Sequence, residues 1–216
     1  GAFRIVENAV TEMMVQLKID GLTVKKLYNA MWVFAKNRIK FLQPLAWGET
    51  FTAECFITSF SLVKLNVETA IKNAQNEIVA YSKVELCALD LETGKIRKTS
   101  TVGLDETFVK YPSLVEVVFT KFDDTPLTQT ESVTVRSTNI DFSHHTNNVE
   151  YLRFILNTYS VRELSESPVK EIEVCYVSQS YENDELLIYK SCDGGKDIVV
   201  IKKADATVIK CEILHS

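Results

Sequence analysis

The hydrophobic periodicity of this chain changes twice from a helical to a strand spacing, and this repeated order limits the folds that it can adopt. Residues 5–18 place apolar side chains three and four positions apart, which predicts a helix with one broad apolar face. From Trp32 to about Thr101 apolar and polar positions alternate, as expected for antiparallel hairpins. A second helix is predicted from about Asn148 to Leu164. Strands are predicted around it, at 133–137 before it and near 170–177, 184–192, 197–203 and 207–214 after it.

The two halves of the chain therefore share the order of a helix followed by antiparallel strands, which indicates an internal duplication. Each half is predicted to be a central helix wrapped by one curved antiparallel sheet, an α+β architecture. The domains are predicted at 1–103 and 129–216, and the first of them lacks the strand that precedes the helix in the second. The segment 104–128 is predicted to be a linker, because its periodicity is weak and it holds two of the four prolines.

Composition excludes several classes of function. The net charge of −5 argues against a nucleic-acid partner, because such binding depends on neutralising phosphates. The five cysteines have no Cys-x-x-Cys spacing, so neither a disulfide framework nor a zinc site is expected. No apolar run approaches the roughly 18 residues of a membrane helix, and no secretory signal is recognisable. A cytoplasmic protein that does not bind membranes is expected.

The segment 139–151 is the most informative part of the sequence, because it joins a strand to a helix and contains two of the three histidines. Asp141 and His145 lie four residues apart in this loop, so both side chains can face one small volume. Hydrolysis needs a base for water and donors aimed at a developing oxyanion, and the loop with the helix N-terminus offers both. An alternative without chemistry stays open. Asp141, Ser143, Asn147 and Asn148 are also residue types that favour turns and helix caps.

The run from Asp141 to Tyr151 resembles the Asp-x-Asn-x-His-x-Asn-Asn-x-x-Tyr signature of the acyl-acyl carrier protein (ACP) thioesterases of plants and bacteria. In the first half, Trp32-Val33 and Trp47-Gly48-Glu49 resemble the Trp-Val and Trp-Gly-Asp elements of that family. The resemblance covers nearly the whole chain from about Ala9 onward. It implies two fused hot-dog domains, an acyl-binding N-terminal half, and hydrolysis of a fatty acyl-ACP thioester to a free fatty acid and a thiol.

The resemblance also implies roles for the matching residues. Asp141 is expected to activate water or to position the catalytic residue, and His145 to carry the proton. Asn147 and Asn148 are expected to hold the loop and the start of the helix. Neither a metal nor an organic cofactor is implied. Ser143 is included among the catalytic candidates, although it is a departure from the signature. The signature has an asparagine two residues before its histidine, and this chain has Ser143 at that position.

A second departure concerns an acidic residue that the family places before a turn in the second half. Gln179 or Ser180 occupies that place here, depending on a one-residue choice of alignment, and neither can act as a base. These departures leave open a protein that binds acyl groups without catalysis. An acyl-coenzyme A (CoA) thioesterase of the same fold is the other alternative.

A local basic patch is predicted on this acidic protein. Lys36, Arg38 and Lys40 share one face of a predicted strand, and Lys25-Lys26 precede it. This patch is either a solvent-exposed strand face or a docking surface for an acidic carrier protein. The resemblance implies ACP as the partner, and both a monomer and a homodimer are compatible with the sequence.

Overall fold

This structure, a computed structural model, describes residues 1–114, 118–122 and 126–216. The chain divides into two compact units, Gly1–Val118 and Phe119–Ser216. Each unit combines helices with antiparallel strands, so the predicted α+β class is confirmed. The boundary between the units falls inside the predicted linker 104–128, parts of which lie outside the described residues.

In its described residues, the first unit contains two α-helices and five strands. The helices are α1 (Ala2–Gln16) and α2 (Gly21–Tyr28), and the strands are β1 (Ala30–Phe41), β2 (Thr52–Phe60), β3 (Leu65–Lys72), β4 (Ile78–Asp90) and β5 (Ile96–Arg97). Within this unit the strand order is β2-β3-β4-β1, and β5 pairs with β4. All of these pairings are antiparallel, as predicted.

The apolar face of α1 explains its position in the first unit. Its buried side chains follow the predicted helical spacing and include Val6, Val10 and Met14. This face packs on β2 and β3. The second helix, α2, is capped at its N-terminus by Asp20, whose side chain accepts hydrogen bonds from the first-turn N–H groups of Leu22 and Thr23.

The second unit begins with a strand and then repeats the order of a helical region followed by four strands. Its elements are β6 (Thr128–Thr134), α3 (Asn148–Leu156), α4 (Val161–Glu166), β7 (Val169–Tyr176), β8 (Glu185–Asp193), β9 (Lys196–Lys203) and β10 (Ala206–His215). Within this unit the strand order is β6-β8-β9-β10-β7.

The strand orders of the two units correspond over four strands. The order β2-β3-β4-β1 of the first unit matches β8-β9-β10-β7 of the second, so in both units the strand after the helices pairs with the last long strand. Strand β6 extends the second sheet at the β8 edge, and no strand of the described part of the first unit takes the equivalent place. This correspondence is the topology expected of an internal duplication.

Two details of the sequence-based prediction are wrong. The single helix predicted over 148–164 is divided, because Ser160 starts a new helix: its side chain accepts from the Glu163 N–H, and the Glu163 carboxylate accepts from the Ser160 N–H. The strand predicted at 133–137 begins earlier and ends at Thr134. Beyond it, the chain turns through a short 3-10 helix at Ser137–Asn139.

No helix in the described ranges is long and apolar enough to cross a membrane.

Candidate active site

Residues 139–147 form a closed loop between β6 and α3. Ile140 and Thr146 make an isolated antiparallel bridge at its neck. Beyond the bridge the Asp141 N–H donates to the carbonyl oxygen of His145, with 2.9 Å between nitrogen and oxygen. His144 lies at the tip in the left-handed region, with φ of 64°. The structure therefore places Asp141 and His145 opposite each other on the two sides of one tight turn.

Ser143 follows Asp141 in this turn and contacts it through the backbone. The Ser143 N–H donates to Asp141 Oδ1 at 2.8 Å, which is a local turn of the kind that aspartate favours. Oδ2 of Asp141 accepts no hydrogen bond from a described residue, and the side chain is only partly buried. One carboxylate oxygen of Asp141 thus stabilises the turn, and the other is free of hydrogen bonds to the described residues.

His145 is half-buried, whereas its neighbour His144 is exposed. The imidazole of His145 packs edge-on against the ring of Tyr181, with 5.2 Å between the ring centroids. Among the described residues, none forms a hydrogen bond with either ring nitrogen of His145. The ring is therefore held by packing, and its nitrogens remain available to water or substrate.

Asn147 and Asn148 mark the start of α3. Asn147 is the N-cap, and its Oδ1 accepts from the Val149 N–H at 2.9 Å. This is the capping role that the alternative without chemistry gives it. The N–H of Asn148 has no acceptor in the described part of the chain. It lies at the positive end of the helix, where an anionic oxygen is stabilised.

The structure separates the two residues that share the place of the missing acid. Gln179 is exposed on the surface, whereas Ser180 is completely buried and contacts the loop through Thr146. Ser180 Oγ also lies 2.7 Å from the hydroxyl of Tyr151 on α3. Glu182, the nearest carboxylate in sequence, is exposed. The sequence does not reveal the contacts of Thr146 and Tyr181. Thr146 contacts Ser180, which is remote in sequence, and Tyr181 packs against His145.

A buried carboxylate supports the loop from the helix side. Glu150 is 6% exposed and lies in the first turn of α3. One of its oxygens accepts from Asn139 Nδ2 at 2.9 Å, and the other lies 2.9 Å from the guanidinium of Arg153. Asn139 in turn accepts from the Arg136 N–H. These contacts fix the first residue of the loop to the helix that follows it.

The match to a protein family covers this whole site. Residues 124–213 match the model of the acyl-ACP thioesterase C-terminal domain. The second unit is therefore similar to the C-terminal domain of acyl-ACP thioesterases. The chain is 21% identical over 192 residues to the chloroplastic oleoyl-acyl carrier protein thioesterase of Coriandrum sativum. This alignment covers 83% of the chain and 52% of the relative, so the chain spans about half the length of that protein.

Solved structures of acyl-ACP thioesterases have the same fold. An acyl-ACP thioesterase from Bacteroides thetaiotaomicron aligns with a TM-score of 0.90 and 17% identity, covering 98% of this chain and 86% of that one. The 12:0-ACP thioesterase from Umbellularia californica aligns with a TM-score of 0.80 and 14% identity, covering 100% and 88%. The predicted hot-dog fold is thereby confirmed.

The first unit contains a groove between α1 and the edge strand β2. Its volume is about 370 Å³, within the range of small-molecule sites. Its lining residues are Ile5, Asn8, Ala9, Glu12, Met13, Gln16, Ala53 and Cys55. The Cys55 Sγ lies 3.8 Å from the Met13 sulfur. Burial raises the pKa of the Cys55 thiol to about 11, so this thiol stays protonated at neutral pH.

In the described ranges, no group of three or more histidine, cysteine, aspartate or glutamate side chains is arranged to hold a metal ion.

Proposed function

We propose that this chain hydrolyses the thioester of a fatty acyl-ACP to a free fatty acid and the carrier thiol. The observation that carries the proposal is the turn in which Asp141 and His145 face each other, joined by the 2.9 Å bond from the Asp141 N–H to the His145 carbonyl oxygen. This turn lies within the segment that matches the acyl-ACP thioesterase C-terminal domain. The candidate site therefore carries a run that resembles the family's signature, and its turn holds Asp141 and His145 opposite each other.

The chemistry requires one proton to move from water to sulfur. A water molecule attacks the thioester carbonyl carbon while the Asp141 and His145 pair takes its proton. The Asn148 N–H, which has no acceptor in the described chain, stabilises the oxyanion at the positive end of α3. The C–S bond then breaks, and His145 returns the proton to the leaving thiolate. Ser143 contributes its backbone N–H, which holds Asp141 Oδ1 at 2.8 Å.

The acyl chain is proposed to bind in the groove between α1 and β2. Ile5, Ala9, Met13 and Ala53 supply apolar lining, and Asn8, Glu12 and Gln16 supply a polar rim. The apolar part of this mixed lining would contact the alkyl chain, because apolar contacts give affinity without a fixed hydrogen-bond pattern.

The carrier protein is proposed to dock on exposed lysines of α2. Lys25 and Lys26 are exposed there beside Leu22, which is 78% exposed. The strand part of the predicted basic patch is less suitable. Lys36, Arg38 and Lys40 are partly buried, and the Arg38 guanidinium donates to the carbonyl oxygen of Val118. A positive surface on a protein of net charge −5 favours an acidic partner.

Two alternative functions are compatible with the same site. An acyl-CoA thioesterase of the same fold uses the same loop and groove. A non-catalytic acyl-binding protein is favoured by Ser143 and by the absence of a carboxylate at Gln179 or Ser180. The cytoplasmic location and the choice between monomer and homodimer stay predictions.

The test is the release of free thiol from acyl-ACP and acyl-CoA thioesters with chains of 8 to 18 carbons. Turnover of the ACP esters at higher kcat/KM than the CoA esters supports the proposal. The reverse preference replaces it with the CoA thioesterase. Binding of acyl groups without release of thiol from either carrier replaces it with the binding protein.

A further inference from the structure

We propose that Ser180 acts with Thr146 and Tyr151 as a buried hydroxyl clasp that positions His145, so the place of the family's acid holds a positioning residue here. This inference deepens the proposed function and rests on it. Ser180 Oγ lies 2.7 Å from Thr146 Oγ1 and 2.7 Å from the Tyr151 hydroxyl. The exposed fractions are 0% for Ser180, 3% for Thr146 and 3% for Tyr151. The three hydroxyls thus form one continuous series of hydrogen bonds that is buried away from water.

Each hydroxyl proton in the clasp has one acceptor. The Tyr151 oxygen accepts from the Ser180 N–H at 3.1 Å, so its own proton is directed to Ser180 Oγ. The proton of Ser180 Oγ then goes to Thr146 Oγ1, which itself donates to the Ser180 carbonyl oxygen at 3.1 Å. Burial raises the pKa of Tyr151, so its hydroxyl stays protonated and keeps this direction. A fully satisfied buried network fixes its members in one arrangement.

The clasp joins three separate parts of the second unit. Thr146 belongs to the loop 139–147, Tyr151 to α3, and Ser180 to the segment between β7 and β8. The Thr146 N–H also donates to the Ser180 carbonyl oxygen at 2.9 Å, so backbone and side chain hold the same pair. Among the described residues of the loop, Thr146 alone hydrogen-bonds to the β7–β8 segment through both its side chain and its backbone.

The clasp positions His145 through residues that are adjacent in the sequence. His145 precedes Thr146, and Tyr181 follows Ser180, so the pairing of Thr146 with Ser180 brings the rings of His145 and Tyr181 together at 5.2 Å. Tyr181 is held from the other side, where its N–H donates to Asp184 Oδ2 at 2.9 Å. Since the His145 ring has no hydrogen bond of its own to a described residue, this packing sets its orientation.

Thr146 allows a matched test, because valine keeps its shape without the hydroxyl and serine keeps the hydroxyl without the methyl. We expect Thr146→Val, Ser180→Ala and Tyr151→Phe to lower kcat on an acyl-ACP thioester by about tenfold to a hundredfold, the scale of misplaced catalytic groups. KM is expected to change less than threefold, since the groove is untouched. Thr146→Ser is expected to keep kcat within about threefold of the unmodified protein.

A second readout does not depend on turnover. The His145 ring gives an NMR signal that His145→Ala identifies, and we expect Thr146→Val to broaden or split it while Thr146→Ser leaves it as a single line. Unchanged kcat and an unchanged signal in Thr146→Val overturn the proposal, as does an equal loss of kcat in Thr146→Ser. If the unmodified protein releases no thiol, the proposed function fails, and the signal alone decides whether the clasp positions the ring.

Discussion

The hydroxyl of Tyr159 donates a hydrogen bond to Asp197 Oδ2, with 2.5 Å between the two oxygens. The same carboxylate oxygen lies 3.5 Å from Lys190 Nζ and 3.2 Å from His215 Nε2. Lys190 Nζ also lies 3.2 Å from the centroid of the Tyr159 ring. Asp197, on β9, thus contacts groups from β8, from β10 and from the turn after α3, and its side chain is 8% exposed.

We expect Asp197→Asn to destabilise the protein by about 3–5 kcal/mol, the scale for breaking a buried ion pair from one side. The change leaves Lys190 buried without its carboxylate. Asp193→Asn, at the exposed end of β8 in the same hairpin, is the matched control and is expected to change the free energy of unfolding by less than about 0.5 kcal/mol. Urea unfolding measures both values. Equal effects of the two substitutions contradict the account.

The lowered pKa of Asp197 predicts how the free energy of unfolding depends on pH. Burial raises the pKa of Asp197, but hydrogen bonds from Tyr159 and Cys192 and the charge of Lys190 outweigh it, so the net pKa is lowered. A lowered folded-state pKa stabilises the fold above the unfolded pKa near 3.9, and this contribution is lost as the pH falls through the folded value. The stability difference between the unmodified protein and Asp197→Asn is therefore expected to shrink below about pH 4. A difference that stays constant down to pH 2 contradicts this assignment.

Much of the fold follows from the sequence, and the misses have physical causes. The strands of both units were predictable because one face is buried, as in β4, where Ala80, Ser82 and Val84 are buried and Tyr81 and Lys83 are partly exposed. Helix α2 has no strong apolar period, since Val24 is its single buried residue. It starts because of the Asp20 cap, which is a weak signal by itself.

The turn that holds the candidate site was predictable where it is local in sequence, whereas its remote contacts were not. The loop with Asp141 and His145 is a continuous motif, and the structure closes it as one turn. The sequence could not show whether Gln179 or Ser180 occupies the place of the missing acid. The two residues are adjacent, and only the structure shows that the side chain of Gln179 is exposed and that of Ser180 is buried. The partners of Ser180 lie 29 and 34 residues away, and no sequence pattern links them.

Filling the groove between α1 and β2 is expected to shorten the acyl chain that the protein accepts. Ala9→Phe adds a ring to the half-buried lining. We expect it to lower kcat/KM for a 16-carbon ester by about tenfold relative to an 8-carbon ester, in line with steric exclusion from an apolar site. Val15→Phe, on the exposed face of the same helix, is the control. An unchanged chain-length profile in Ala9→Phe shows that the chain binds elsewhere.

Cys55 reports on the same groove through its reactivity. With a pKa of about 11, only about one Cys55 thiol in a thousand is ionised at pH 8. Alkylation by iodoacetamide, mapped by mass spectrometry, is therefore expected to be slow at pH 8 and to rise about tenfold per pH unit up to pH 10. A bound fatty acid is expected to slow it further. Alkylation at pH 8 as fast as that of glutathione contradicts the burial of this thiol.

The exposed lysines of α2 are expected to affect the carrier substrate alone. The double substitution Lys25→Glu and Lys26→Glu is expected to raise KM for an acyl-ACP by severalfold, since exposed charges each contribute about 0.2–1 kcal/mol. KM for an acyl-CoA ester with the same chain is expected to stay unchanged. Lys110→Glu with Lys170→Glu changes the net charge equally at other exposed positions and serves as the control. If both double variants raise KM alike, no local docking surface exists on α2.

The most direct test of the central claim compares two neighbouring histidines. Thiol release from an acyl-ACP thioester is measured under single-turnover conditions for the unmodified protein, His145→Ala and His144→Ala. The account predicts a loss of about a hundredfold or more in His145→Ala, the scale for a general acid–base group, and a loss of less than about threefold in His144→Ala, whose side chain is exposed at the tip of the loop. Thiol release by His145→Ala at the rate of the unmodified protein contradicts the claim that this loop carries the reaction.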